Sequence, residues 1–96
     1  MEALDLCYSR NPALVFRKIG GECLLVPVFQ NVADMDGLYV LNEVGSRIWE
    51  LLDGQNPVRR IRDIIVGEYE VNPQEAEADV WDFLEQLKQI QGVNQV

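Results

Sequence analysis

The side chains that carry out covalent and metal chemistry are few in this sequence, and their spacing does not bring them together. Catalysis by a serine or cysteine needs a base beside the nucleophile, and the chain offers Ser9, Ser46, Cys7 and Cys23 but no histidine. Cys7 and Cys23 also lack metal-site spacing, and without histidine the common zinc patterns cannot be built within one chain. Cys23 falls inside a strand-like run, which predicts a buried, inert thiol. Cys7 lies between Leu6 and Tyr8, neither of which brings a charge that would stabilise a thiolate. The acidic series Glu75, Glu77, Asp79, Asp82 and Glu85 invites a metal or acid–base reading. It falls mostly on the polar side of a helical pattern and near the start that a helix dipole favours, so a solvated face is the simpler reading. Arg59, Arg60 and Arg62 form a small basic patch, read here as a solvated face or a set of intramolecular partners. Gly20-Gly21 is a turn and does not resemble a phosphate-binding loop. The expectation is a non-enzyme with no catalytic residue, no metal and no cofactor.

Size and charge narrow the remaining classes. A chain of 96 residues makes one domain. It buries roughly 60–65% of its unfolded surface, too little for a deep cleft between lobes. The net charge of −8 repels phosphate backbones and anionic lipid, so neither nucleic acid nor a membrane is an expected partner. No run approaches the roughly 20 apolar residues needed to span a bilayer, and the start does not read as a signal peptide. A cytoplasmic protein is expected.

The elements that would position a site are organised around residues 37–54. Leu38, Tyr39, Val40 and Leu41 form a short apolar strand, and from Val44 the apolar positions 44, 48, 51 and 52 recur at helical spacing. Asn42 sits at the change of period as a helix N-cap, with Glu43 in the first turn. Gly54 is expected to close the helix and Pro57 to open the next at its first position. Upstream, residues 13–19 and 22–28 read as two strands of a hairpin joined by Gly20-Gly21. Residues 1–12 read as a loosely docked arm, which divides the chain into an arm and a domain over 13–96. Phe29, Val32 and Met35 suggest a flap over the sheet. Downstream, Val58, Ile61, Ile64, Ile65 and Tyr69 mark a second helix. Asn72-Pro73 with Glu75 opens a third, running to about Gln91 with Gly92 as its stop. Three strands followed by three helices predict an α+β fold, with helices on one face of a three-stranded antiparallel sheet.

In residues 37–54 a strand ending in Leu41-Asn42 precedes Gly45, Ile48-Trp49, Leu51 and a terminal Gly54, and this order resembles the signature of the PqqD-like family. Val58, Ile61, Tyr69, Asp79-Val80, Phe83-Leu84, Leu87 and Gly92 fall where that family has its second and third helices. The resemblance implies a winged-helix-like domain that recognises precursor peptides of ribosomally made, enzymatically modified products. PqqD-like proteins are peptide chaperones, in pyrroloquinoline quinone biosynthesis among other pathways. The resemblance further implies that the precursor's leader adds a strand beside the third helix, and that the domain presents it to a radical-SAM enzyme. Carried onto this chain, the receiving edge is Leu38, Tyr39, Val40 and Leu41. The groove wall chosen on the third helix is Trp81, Leu84, Glu85 and Lys88. A homodimer stays open. Two other classes compete. A winged-helix DNA-binding protein should carry a basic recognition helix, whereas this third helix has five acidic residues and one lysine. A structural subunit could instead dock on an enzyme through Trp49 or Trp81 without touching peptide.

Overall fold

The computed structural model describes residues 3–27 and 39–96. After a single 3₁₀ turn, Ala3–Asp5, come β1 (Cys7–Arg10), β2 (Leu14–Ile19), β3 (Glu22–Pro27) and β4 (Tyr39–Leu41). Helix α1 (Glu43–Leu51), β5 (Asp53–Pro57), α2 (Val58–Tyr69), α3 (Pro73–Gln89) and β6 (Val93–Gln95) complete the chain. The expected three-stranded antiparallel sheet is present as β2-β3-β4, together with the three expected helices in an α+β arrangement. The expected flap, Phe29 to Asp36, and Leu38 lie outside the described residues.

A second three-stranded antiparallel sheet, ordered β5-β1-β6, corrects the reading of the N-terminal segment as a loosely docked arm. β1 is the middle strand, and its Tyr8 is part of the core at 4% exposure. Val58 N donates to Leu6 O at 3.0 Å and Val96 N to Cys7 O at 2.9 Å, so both later partners are tied to this segment. Cys7 and Ser9 are two positions apart, yet their partners Pro57 and Asp53 are four apart, which makes β5 a bulged strand. Gly54, at φ 80°, lies in that bulge. It does not close α1, which ends at Leu51 with Leu52 as its cap. Pro57 likewise caps α2 from outside, so Val58 is the first helical residue.

Asp53 organises the bulge. Its carboxylate accepts from Gln55 N at 2.9 Å, Asn56 N at 3.0 Å and Asn56 Nδ2 at 3.1 Å. The backbone donors, Gln55 first, hold the Asp53 pKa below its ordinary value. A depressed carboxylate contributes stability that is present above the unfolded pKa, about 3.9, and is lost as pH falls through the lower folded value. Asp53→Ala is therefore expected to flatten the acid limb of a melting-temperature profile and leave its neutral-to-alkaline shape unchanged. An unaltered acid limb would remove the role assigned to this carboxylate.

Both Asn caps form as expected. Asn42 Oδ1 accepts from Gly45 N at 2.7 Å, and Asn72 Oδ1 accepts from Glu75 N at 2.7 Å. Replacing Asn42 with Ala leaves Gly45 N without that acceptor and is expected to cost about 0.5–2 kcal/mol in denaturant titration, with the fold retained. At the other end of α3 the helix stops at Gln89, in a Schellman motif. Gly92 N donates to Leu87 O at 2.7 Å and Gln91 N to Lys88 O at 3.1 Å. The left-handed residue there is Gln91, at φ 56°. Gly92 serves close packing instead: a Cβ at that position would stand 2.8 Å from Leu14 Cδ1 and 3.3 Å from Leu87 O, so the Leu14 side chain would have to shift to admit it. The core joins the two sheets to the helices through Leu25, Leu52, Ile61, Ile65, Val80 and Leu87, all at 0% exposure.

Candidate functional site

The backbone at β4 follows from the hairpin before it. Gly20 and Gly21 both have positive φ, 58° and 88°, and Ile19 pairs with Glu22 across them, which is a two-residue type I′ connection. The pair closing such a turn is hydrogen-bonded, and bonded and non-bonded pairs then alternate along the ladder. Leu24, opposite Arg17, is therefore bonded to β2, while Cys23 and Leu25 turn their N–H and C=O towards β4. Their partners there are Leu41 and Tyr39, and Val40 stands opposite Leu24 in a non-bonded pair. Val40 thus directs its own N–H and C=O away from β3, along an edge that no described strand covers. Its side chain lies on the outer face at 66% exposure, whereas Leu41 points inward at 7%.

Beside that edge is a groove of about 270 Å³ between β4, the first turns of α1 and the middle of α3. Leu41, Val44, Ile48 and Phe83 supply its apolar surface, and Asp79, Asp82 and Gln86 line its α3 side. Gly45 keeps the floor open: a Cβ there would lie 3.1 Å from the capping Asn42 Oδ1 and 3.8 Å from Phe83 Cε1. Among the described residues, no basic side chain lines the groove.

Of the residues chosen from sequence, Val40 and Leu41 line this groove and Tyr39 adjoins it through the backbone of β4. The α3 wall is corrected. Leu84 is a core residue at 0% exposure, and Trp81 is half-buried and packed against the core. Lys88 Nζ lies 5.2 Å from the centre of the Tyr8 ring, over β1, and Glu85 is exposed without lining the groove. Glu77, on the same flank as Trp81 and Lys88, approaches Arg62 of α2 at 3.9 Å. That flank of α3 faces α2 and β1, and the opposite flank, Asp79, Phe83 and Gln86, faces β4. Both flanks border the same core stripe at helical spacing, so periodicity alone could not choose between them. Val44 and Ile48 of α1 were not among the residues chosen; their helical spacing marks an apolar stripe without showing that part of it borders a groove.

The other candidate features are accounted for within the chain. Arg59 pairs with Asp5 at 3.4 Å and Arg62 with Asp63 at 3.1 Å, as the intramolecular reading of the basic patch expects. Trp49 is buried at 4% exposure and Trp81 rests on the core, so neither offers a free docking anchor. A second hollow, about 570 Å³, lies under the β2-β3 hairpin between Phe16, Lys18 and Cys23 on one side and Glu43, Arg47 and Tyr69 on the other. Its Arg47 is already held by Glu68, at 2.8 and 2.9 Å, and by Glu50 at 3.1 Å. The Glu68 hydrogen bond leads the causes that raise the Arg47 pKa, and burial leads those that raise the Tyr69 hydroxyl. Among the described residues, no three His, Cys, Asp or Glu side chains gather as a metal site would require.

The family model for coenzyme PQQ synthesis protein D (PqqD) matches residues 32–91, more than half of the chain. The chain belongs to the PqqD family. Three solved structures share its fold. TbiB1, solved in complex with the TbiA(beta) leader peptide, is 31% identical with a TM-score of 0.70, over 90% of this chain and 94% of that one. Lasso peptide synthetase B1, complexed with the leader peptide, is 18% identical with a TM-score of 0.71, over 91% and 96%. The PqqD truncation of Methylobacterium extorquens PqqCD, a stand-alone recognition element for ribosomally synthesised and post-translationally modified peptides, is 20% identical with a TM-score of 0.72, over 97% and 93%. A search of the curated proteins finds no match.

Proposed function

We propose that this PqqD-family domain is a non-catalytic recognition element, which captures the leader of a ribosomally made precursor as a strand added to β4 and presents it to a modifying enzyme. The observation that carries this is the outward-facing backbone of Val40 beside the groove between α1 and α3. An extended peptide supplies what that edge lacks, an N–H and a C=O in strand geometry, and the groove then receives its alternate side chains. The leader peptide bound to TbiB1, 31% identical to this chain, supports a peptide as the occupant. A radical-SAM enzyme is the partner class that the family resemblance implies, with the cytoplasm as the compartment. No helix among the described residues is long and apolar enough to cross a membrane.

The test is calorimetric titration with the leader segment of a short precursor encoded beside this gene, with duplex DNA as the control. One-to-one binding of the leader and no salt-dependent DNA binding are expected. A leader that gives no heat and no amide shifts at any attainable concentration would refute the proposal. Shifts confined to α2 and the Arg59, Arg60 and Arg62 surface would instead indicate an electrostatic docking face.

A further inference from the structure

The register at β4 and the lining of the groove constrain which peptide can be read there, resting on the strand-addition proposal above. In an added strand, the residue opposite Val40 places its side chain on the same face as Val40, the outer one, which is 66% exposed. Its two neighbours in the peptide then point to the face of Leu41 and enter the groove. The groove therefore meets peptide side chains two positions apart, with the residue between them left in solvent.

The surfaces they meet differ. The floor is apolar, made of Val44, Ile48 and Phe83 with Leu41. The α3 lip carries Asp79 and Asp82 one helical turn apart, with no lining cation among the described residues to offset them. Neither carboxylate has an ion-pair or hydrogen-bond partner among the described residues, in contrast to Glu50, Asp63, Glu68 and Glu77, which all face arginines. We infer that this domain selects a leader strand with an apolar residue and a basic residue at positions i and i+2, in either order, the apolar one on the floor of Val44, Ile48 and Phe83 and the basic one against Asp79 and Asp82. Main-chain pairing at Val40 then supplies affinity common to any extended peptide, and the two groove contacts discriminate between sequences. Acidic leaders are rejected by the same two carboxylates.

The probe is a set of dye-labelled decapeptides on a Thr/Gln/Val framework, read by fluorescence anisotropy against the full chain. Each carries a fixed Leu with Lys, norleucine or Glu two residues away, on either side. For at least one order the Lys peptide is expected to bind about tenfold tighter than the Glu peptide, the contribution of two solvent-exposed carboxylates attracting one charge and repelling the other. Asp79→Asn with Asp82→Asn should collapse that ratio towards one, as should high ionic strength. Moving the Lys next to the Leu should also abolish the gain, because it then points to the outer face. If all peptides bind alike and Val40→Pro abolishes them alike, strand addition stands and the charge selection is overturned. If Lys beside Leu serves as well as Lys two residues away, the register is overturned. If no peptide of the set binds, both the selection and the strand-addition proposal fall.

Discussion

Val40→Pro is expected to remove leader binding, weakening it at least tenfold, while the protein remains folded. Proline lacks the N–H that an incoming strand must accept, and its ring occupies the space where that strand's carbonyl would approach. The cost to the free protein is small, because Val40 is in a non-bonded pair with Leu24 and its N–H takes no part in the β3-β4 ladder. The same substitution one position on has the opposite consequence. Leu41 is paired with Cys23 through its own N–H, and its side chain is in the core at 7% exposure. Leu41→Pro should therefore lower the melting temperature sharply and reduce binding only through loss of structure. Circular dichroism and a binding titration on the two variants separate a lost docking edge from general unfolding. A Val40→Pro protein that is folded and binds leader as tightly as the parent would contradict strand addition at this edge.

Leu84→Ala is expected to be among the most destabilising single truncations on α3. The side chain is fully buried beside Val80 and Leu87, and its removal leaves a cavity in a close-packed core, at a cost of about 2–5 kcal/mol. In a domain of this size each kcal/mol lowers the melting temperature by about 4–8 °C, so a fall of more than about 10 °C is expected by thermal denaturation. Leader affinity measured well below that temperature should change less than about threefold, since Leu84 does not line the groove. Phe83 gives the informative contrast. It belongs to the core at 8% exposure and also to the groove, so Phe83→Leu should weaken the leader more than Leu84→Ala does. Intact stability with strongly weakened binding in Leu84→Ala would return that residue to the groove wall and displace the geometry described here.

What was legible from the amino-acid order alone follows the strength of the local signals. The Gly20-Gly21 turn, the Asn42 and Asn72 caps and the three apolar stripes are encoded within a few residues, and each formed where its chemistry placed it. The second sheet was not legible for the same reason in reverse. Asp53–Pro57 reads Asp-Gly-Gln-Asn-Pro, a composition poor in strand formers, and it becomes a strand only because β1 lies beside it and Asp53 caps its bulge. Val93–Gln95 has three residues and no period to read. Tyr8 gave no sign of being core, since a four-residue strand in a mixed polar and apolar arm needs both later neighbours before it is buried. The α3 wall failed more subtly. Trp81 and Lys88 flank the core stripe on one side, Asp79 and Gln86 on the other, and only the packing of α2 and β1 against the first side decides which flank meets β4.

The central claim is that one backbone unit, that of Val40, receives the peptide, and amide hydrogen exchange on the leader complex measures this most directly. In the free protein the Val40 N–H faces solvent from an edge strand and should exchange quickly, whereas those of Tyr39 and Leu41 are bonded to β3 and should already be protected. Saturating leader peptide is expected to slow exchange at Val40 selectively and by more than at either neighbour, because a new main-chain hydrogen bond forms there and nowhere else among these three residues. Unchanged exchange at Val40 in a complex shown by titration to be saturated would contradict the claim.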